Sequence, residues 1–76
     1  MVVYILLKQS DVYEGCDIIY VSEDIEKVRK NFEGHNLNYE YFELEVWKDG
    51  VKIDNALYNE DVRKLLMGGE NNGERI

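Results

Sequence analysis

The apolar and polar positions change period several times along the chain, and each change marks a predicted element. Residues 2–8 are almost continuously apolar and rich in β-branched and aromatic side chains, which is typical of a central strand whose faces are covered or half covered. Turn-forming residues occupy 9–15, and a second short strand is predicted over 16–21. The chain therefore begins with two strands joined by a loop.

A helix is predicted over residues 23–33. Ser22 is suited to the N-cap, and Glu23 and Asp24 follow in the first helical turn. Gly34 is placed to end the helix. An apolar stripe at helical spacing marks the side expected to pack on the rest of the protein, formed by Ile25, Val28 and Phe32.

Residues 39–48 alternate with a period of two, which predicts a third strand with one buried and one wet face. The side chains expected to face the core are Phe42, Leu44 and Val46. Those expected to face the other way are Tyr41, Glu43, Glu45 and Trp47.

A hairpin is predicted at Asp49-Gly50, because a type I′ turn needs positive φ at both central residues and Asp-Gly supplies it. The turn leads into a fourth strand and sets the expected pairs, Val46 with Ile53 and Trp47 with Lys52. A cation–π contact is expected in the second pair.

A second helix is predicted over residues 55–67, or from Asn59 if a loop comes first, with Gly68 and Gly69 ending it. Residues 1–67 form one expected domain, and 68–76, which are polar and rich in Gly and Asn, form an expected flexible tail. The helix positions expected to pack are Leu57, Val62, Leu65 and Leu66.

These elements predict an α+β fold in the order β-β-α-β-β-α. The expected sheet is four-stranded and antiparallel, with strand order 2-1-3-4 and the first helix on one face. The second helix or another subunit is expected to cover the opposite face, so a homodimer is one expectation. That opposite face is expected to carry Tyr4, Leu6, Tyr41, Glu43 and Trp47.

Composition narrows the class of protein. The chain has 76 residues, so one small domain with a thin stability margin is expected. Its net charge is −7. Its longest apolar run, residues 2–7, is too short to span a bilayer and lacks the features of a signal peptide. A single cysteine and a single histidine fit a reducing compartment, and a cytoplasmic location is expected.

The acidic residues are concentrated in two blocks, residues 11–26 and 33–47. Neither block contains a Lys or an Arg. Such a surface repels phosphate, so direct binding to nucleic acid or to an anionic membrane is disfavoured. A charge of −7 also lies within the range that small proteins carry for solubility alone.

No catalytic, cofactor or metal site is predicted. His35 lies in a polar loop without a partnering Ser or Cys motif, and Cys16 lies beside Asp17, whose charge would raise the pKa of a thiol. Asp11, Glu14 and Asp17 do not have the spacing of a calcium loop. An enzyme is therefore the least favoured class.

The acidic and aromatic residues point instead to a protein partner. Carboxylates two residues apart on a strand are about 6.6 to 6.8 Å apart, and such a row imitates backbone phosphates. The expected partner-binding residues are Asp17, Glu23, Asp24, Glu26, Glu40, Tyr41, Glu43, Glu45, Trp47 and Asp54.

Residues 2–32, VVYILLKQSDVYEGCDIIYVSEDIEKVRKNF, and 39–53, YEYFELEVWKDGVKI, resemble small acidic early or accessory proteins of tailed bacteriophages. The resemblance rests on the order of strands and cap rather than on a catalytic motif. It implies a noncatalytic host-takeover inhibitor in the host cytoplasm that mimics DNA. The implied partner is a basic host protein, such as an HU-type nucleoid protein, RNA polymerase or a defence nuclease. Two alternatives are a small-ligand binding protein and a structural self-assembly protein.

Overall fold

The structure is a computed structural model that describes residues 1–9 and 15–67. The predicted turn over 9–15, the expected tail over 68–76, and Asp11 and Glu14 therefore lie wholly or mostly outside the described residues. Within them the predicted element order is confirmed. The elements are β1 (Val2–Gln9), β2 (Cys16–Ser22), α1 (Ile25–Glu33), β3 (Phe42–Lys48), β4 (Val51–Ala56) and α2 (Asn59–Leu66).

The four strands form one antiparallel sheet in the order β2-β1-β3-β4, as predicted. β1 is central because its apolar residues need neighbours on both sides. Leu6 of β1 pairs with Leu44 of β3, and both are fully buried, so this register position marks the core side of the sheet. Because successive side chains of a strand face opposite sides of the sheet, the residues next to Leu6 and Leu44 lie on the other side.

Both helices pack on the core side of the sheet. Val28 and Phe32 of α1 and Val62 and Leu66 of α2 belong to one buried cluster with the strands, and the helices contact each other. The expectation that the second helix would cover the opposite face is therefore wrong. The buried cluster consists of Leu6, Val28, Phe32, Phe42, Leu44, Val46, Ala56, Val62 and Leu66.

The first helix begins two residues later than predicted. Asp24, rather than Ser22, is the N-cap, because its side chain accepts a hydrogen bond from the backbone N–H of Glu26 at 2.9 Å. Ser22 still belongs to β2, and its hydroxyl accepts a hydrogen bond from the backbone N–H of Asp24 at 3.0 Å. Ser22 therefore shapes the turn into the helix that Asp24 caps.

The β3–β4 hairpin has the predicted turn, since φ is 53° at Asp49 and 85° at Gly50. Trp47 pairs with Lys52, as predicted, but a β-bulge follows and Val46 pairs with Asp54 rather than with Ile53. The expected cation–π contact is replaced by an ion pair, because the Lys52 ammonium lies 3.7 Å from a carboxylate oxygen of Glu45.

The second helix begins at Asn59, which confirms the shorter of the two predicted ranges. Val62 and Leu66 are buried and Leu65 is half-buried, but Leu57 precedes the helix and is 47% exposed. Asn59 fixes the helix to the segment before β3. Its Oδ1 accepts from the backbone N–H of Phe42, and its Nδ2 donates to the carbonyls of Leu37 and Glu40.

Candidate functional site: the open sheet face

One side of the sheet is the candidate site, and we call it the open face. No helix packs on it in the part of the chain that the structure describes, because α1 and α2 both lie on the core side. Tyr4 and Leu6 were expected here, but their pairing with Val46 and Leu44 places them on the core side. By register, the open face carries Val3, Ile5, Leu7 and Gln9 of β1, Cys16, Ile18 and Val21 of β2, Glu43, Glu45 and Trp47 of β3, and Lys52 and Asn55 of β4.

The open face divides into two lanes that follow the strands. An apolar lane covers β1 and β2 and consists of Val3, Ile5, Leu7, Ile18 and Val21. Its β2 residues are the more exposed ones, with Ile18 at 62% and Val21 at 51%. An acidic lane on β3 consists of Glu43 and Glu45, directly beside Leu7 and Ile5. The site therefore combines exposed aliphatic side chains with a row of carboxylates.

The two carboxylates of the acidic lane have different surroundings. Glu45 accepts a hydrogen bond from the Trp47 indole N–H at 2.9 Å and is paired with Lys52. Glu43 accepts a hydrogen bond from the side-chain amide of Gln9 at 3.2 Å, and among the described residues it has no ion-pair partner. Glu43 is consequently the carboxylate on this face with a charge left to neutralise.

The thiol of Cys16 is affected by the negative charges on this face. The pKa of its thiol is raised, first by desolvation and then by its hydrogen bond to Glu43. The charges of Glu43, Asp17 and Glu45 raise it further. A thiol with a raised pKa is a poorer nucleophile at neutral pH, in agreement with the expectation drawn from the sequence.

A second acidic group lies at the start of α1, just beyond the end of β2. Glu23, Asp24 and Glu26 are exposed, although Glu26 pairs with Arg29 and Asp24 is used as the N-cap. The first two line a surface depression together with Val21 of the apolar lane, and Lys27 lies at the same depression. The helix-start carboxylates therefore border the apolar lane.

The remaining predicted residues lie elsewhere. Glu40 is on the loop before β3, 3.4 Å from the Lys8 ammonium and 3.3 Å from Nδ1 of His35. Desolvation alone would raise the pKa of its carboxyl, but the hydrogen bond and charge of Lys8, with help from His35 and Asn36, lower it. Asp17 and Asp54 are exposed and lie at core-side register positions, opposite Lys8 and Val46 respectively. Tyr41 is also exposed and lies just before β3, where its carbonyl accepts a hydrogen bond from the backbone N–H of Gln9 at 2.9 Å and strand alternation puts it on the same side as Glu43.

His35 is held by its own loop and helix. Nδ1 faces Glu40, Nε2 lies 3.3 Å from Oδ1 of Asn31, and the ring packs against Phe42 with centroids 4.8 Å apart. Both ring nitrogens thus have partners within the fold. In the described ranges, no three side chains of the His, Cys, Asp and Glu types are grouped to hold a metal ion.

The apolar lane was missed at the sequence level. The signal was present in residues 2–8, because a run that is apolar at every position puts aliphatic side chains on both faces of the sheet. Helices placed on one side leave the other set uncovered. The apolar pattern of residues 2–8 had predicted that the side chains on both faces of this strand would be covered or half covered.

Comparison with protein-family models, curated proteins and solved structures gives no match to this chain. Among the described residues, no helix has the length and apolar character needed to cross a membrane.

Proposed function

We propose that the protein is a noncatalytic inhibitor that binds a basic, nucleic-acid-binding host protein through its acidic surface and so mimics DNA. The observation that carries this proposal is the acidic lane on a sheet face that neither of the two described helices covers. Glu43 and Glu45 are side by side there, and the charge of Glu43 has no cation beside it among the described residues.

The spacing of the acidic lane supports mimicry. Glu45 lies two positions after Glu43 on the strand, which corresponds to about 6.6 to 6.8 Å along the backbone. The strand fixes the backbone positions of both residues on one face, so only their side chains need to be ordered on binding. A partner that normally binds phosphates with Lys or Arg would meet a similar row of negative charges.

The carboxylates at the start of α1 add to the attraction. Glu23 and Asp24 border the apolar lane at its β2 end, so a basic partner meets negative charge on two sides of the open face. The field of such exposed charges extends about 8 Å at physiological ionic strength. Binding by this surface should therefore weaken as the salt concentration rises.

Affinity capture tests the proposal. The tagged protein is incubated with nuclease-treated bacterial lysate at low and high salt, and the retained proteins are identified by mass spectrometry. We expect a basic nucleic-acid-binding protein that is retained at low salt and is lost with the Glu43→Gln/Glu45→Gln variant. Equal retention by that variant would contradict the proposal.

A matched control keeps the net charge change the same. Glu33→Gln/Glu60→Gln also removes two carboxylates, but from exposed positions on α1 and α2, which pack on the core side. This control variant should retain the partner as the unmodified protein does. If both variants lose the partner equally, net charge rather than the acidic lane is responsible.

A further inference from the structure

We infer that the open face binds its partner through an amphipathic basic helix, whose aliphatic stripe lies on the apolar lane and whose Lys or Arg residues face the acidic lane. This inference rests on the proposed function and names the part of the partner that is recognised. It explains why a sheet face with carboxylates on β3 also carries half-buried aliphatic side chains on β1 and exposed ones on β2, which mimicry of phosphates alone does not require.

The dimensions of the two lanes fit a helix. The apolar lane is two strands wide, or about 10 Å at about 4.8 Å per strand, and an α-helix with its side chains is about 10 to 12 Å across. Basic residues four apart on that helix rise by about 6 Å, close to the spacing of about 6.8 Å between Glu43 and Glu45. A helix parallel to β3 can therefore place one basic residue at Glu43 and a second beside Glu45, where it adds to the ion pair that Glu45 makes with Lys52.

Charge argues against a second copy of the chain as the occupant. Each copy has a net charge of −7, and within residues 1–9 and 15–67 the register places only one base on the open face, Lys52, which is already paired with Glu45. A face-to-face dimer would bury Glu43 of both copies without a cation. Buried carboxylates without partners are strongly unfavourable.

The sheet edges are less suited to a partner than the open face. A β-bulge interrupts the pairing of β2 with β1 and that of β4 with β3, and both bulged strands are edge strands. On β4, the Asp54 side chain also accepts a hydrogen bond from the backbone N–H of Asn55. Bulges and blocked N–H groups oppose the addition of another strand.

Two synthetic peptides test the inference. Each is a helical peptide of about 18 residues, or about 27 Å, with the same Lys residues on one side; one carries a Leu stripe and the other has Ala at those positions. We expect the Leu peptide to bind about tenfold more tightly than the Ala peptide and to remain bound at higher salt, because aliphatic contacts are not screened. Equal binding of the two peptides would overturn the inference.

Variants at exposed positions locate the contact. Ile18→Ser/Val21→Ser should weaken binding of the Leu peptide about tenfold and leave binding of the Ala peptide unchanged. Val51→Ser is the control: Val51 is similarly exposed, but its register position at the start of β4 is on the core side of the sheet. This variant should leave the binding of both peptides unchanged. Both positions of the double variant are more than half exposed, so the fold should be retained.

The outcomes separate this inference from the proposed function. If the Ile18→Ser/Val21→Ser variant binds the Leu peptide normally while Glu43→Gln/Glu45→Gln still loses the captured basic protein, the helix inference is wrong and the proposed function stands. If sedimentation shows a dimer that Ile18→Ser/Val21→Ser dissociates, a second copy occupies the face and the inference is overturned.

Discussion

The three hydrogen bonds of Asn59 join α2 to the loop before β3 and to the first residue of β3, and their loss should lower the stability of the fold. Asn59 Oδ1 accepts from Phe42 N–H at 2.8 Å, and Nδ2 donates to the carbonyls of Glu40 at 2.7 Å and Leu37 at 3.1 Å. Asn59→Ala removes all three while leaving the helix backbone in place.

The expected loss follows from the net value of such hydrogen bonds, about 0.5 to 1.5 kcal/mol each. Asn59 is half-buried, so water reaches some of the groups left without a partner. We therefore expect Asn59→Ala to lower the free energy of unfolding by about 2 to 3 kcal/mol. In a domain of this size that corresponds to a fall in Tm of about 8 to 24 °C.

Denaturant unfolding followed by circular dichroism measures the change. Asn38→Ala is the matched control, since Asn38 is exposed in the loop that contains Leu37 and Glu40 and makes its hydrogen bond, to Asn36, through its backbone N–H. The control should change stability by less than about 0.5 kcal/mol. An equally small effect of Asn59→Ala would refute the reasoning that this side chain fixes α2 to the loop.

Three other predictions follow from the core and the two shifted pKa values. Phe32→Ala should lower the free energy of unfolding by about 3 to 5 kcal/mol, because the ring is fully buried and packs edge-on against Phe42. Denaturant unfolding curves test this, and a loss below about 1 kcal/mol would contradict it. Glu43→Gln should lower the raised pKa of Cys16 and speed alkylation of the thiol by iodoacetamide at mildly alkaline pH; an unchanged rate would show that Glu43 does not act on Cys16. Glu40 has a lowered pKa in the fold, so its contribution to stability is present above about pH 4.5 and is lost as pH falls through the folded value. Unfolding curves across this range should show Glu40→Gln less stable than the unmodified protein at neutral pH, with a smaller difference in acid. A pH-independent difference would contradict the Lys8 pairing.

The sequence pattern predicted the elements and their order because the local signals agree with the tertiary contacts. The alternation of Phe42, Leu44 and Val46 fixed one face of β3, and Asp49-Gly50 fixed the turn. Two errors of position fell where the local pattern allows more than one choice. Both Ser22 and Asp24 can cap α1, and a bulge at Ile53 shifted the β4 register by one residue.

The site was only partly predictable. Glu43, Glu45 and Trp47 were correctly expected on one side of β3, since strand alternation determines that. Glu40, Asp17 and Asp54 lie away from this row, because the sheet register and the loop before β3 separate them from it, and their contact with a partner stays a prediction. Which side of the sheet α2 covers depends on long-range packing of Val62 and Leu66, which no local pattern contains.

Displacement of DNA from the captured partner tests the central claim most directly. The partner is purified and bound to a fluorescently labelled DNA duplex, and the anisotropy of the duplex is followed as the protein is added. The account predicts that the protein and the Glu33→Gln/Glu60→Gln control release the duplex, whereas Glu43→Gln/Glu45→Gln requires a concentration at least about tenfold higher. Release by all three at the same concentration, or a partner that binds the protein and the duplex together, would contradict it.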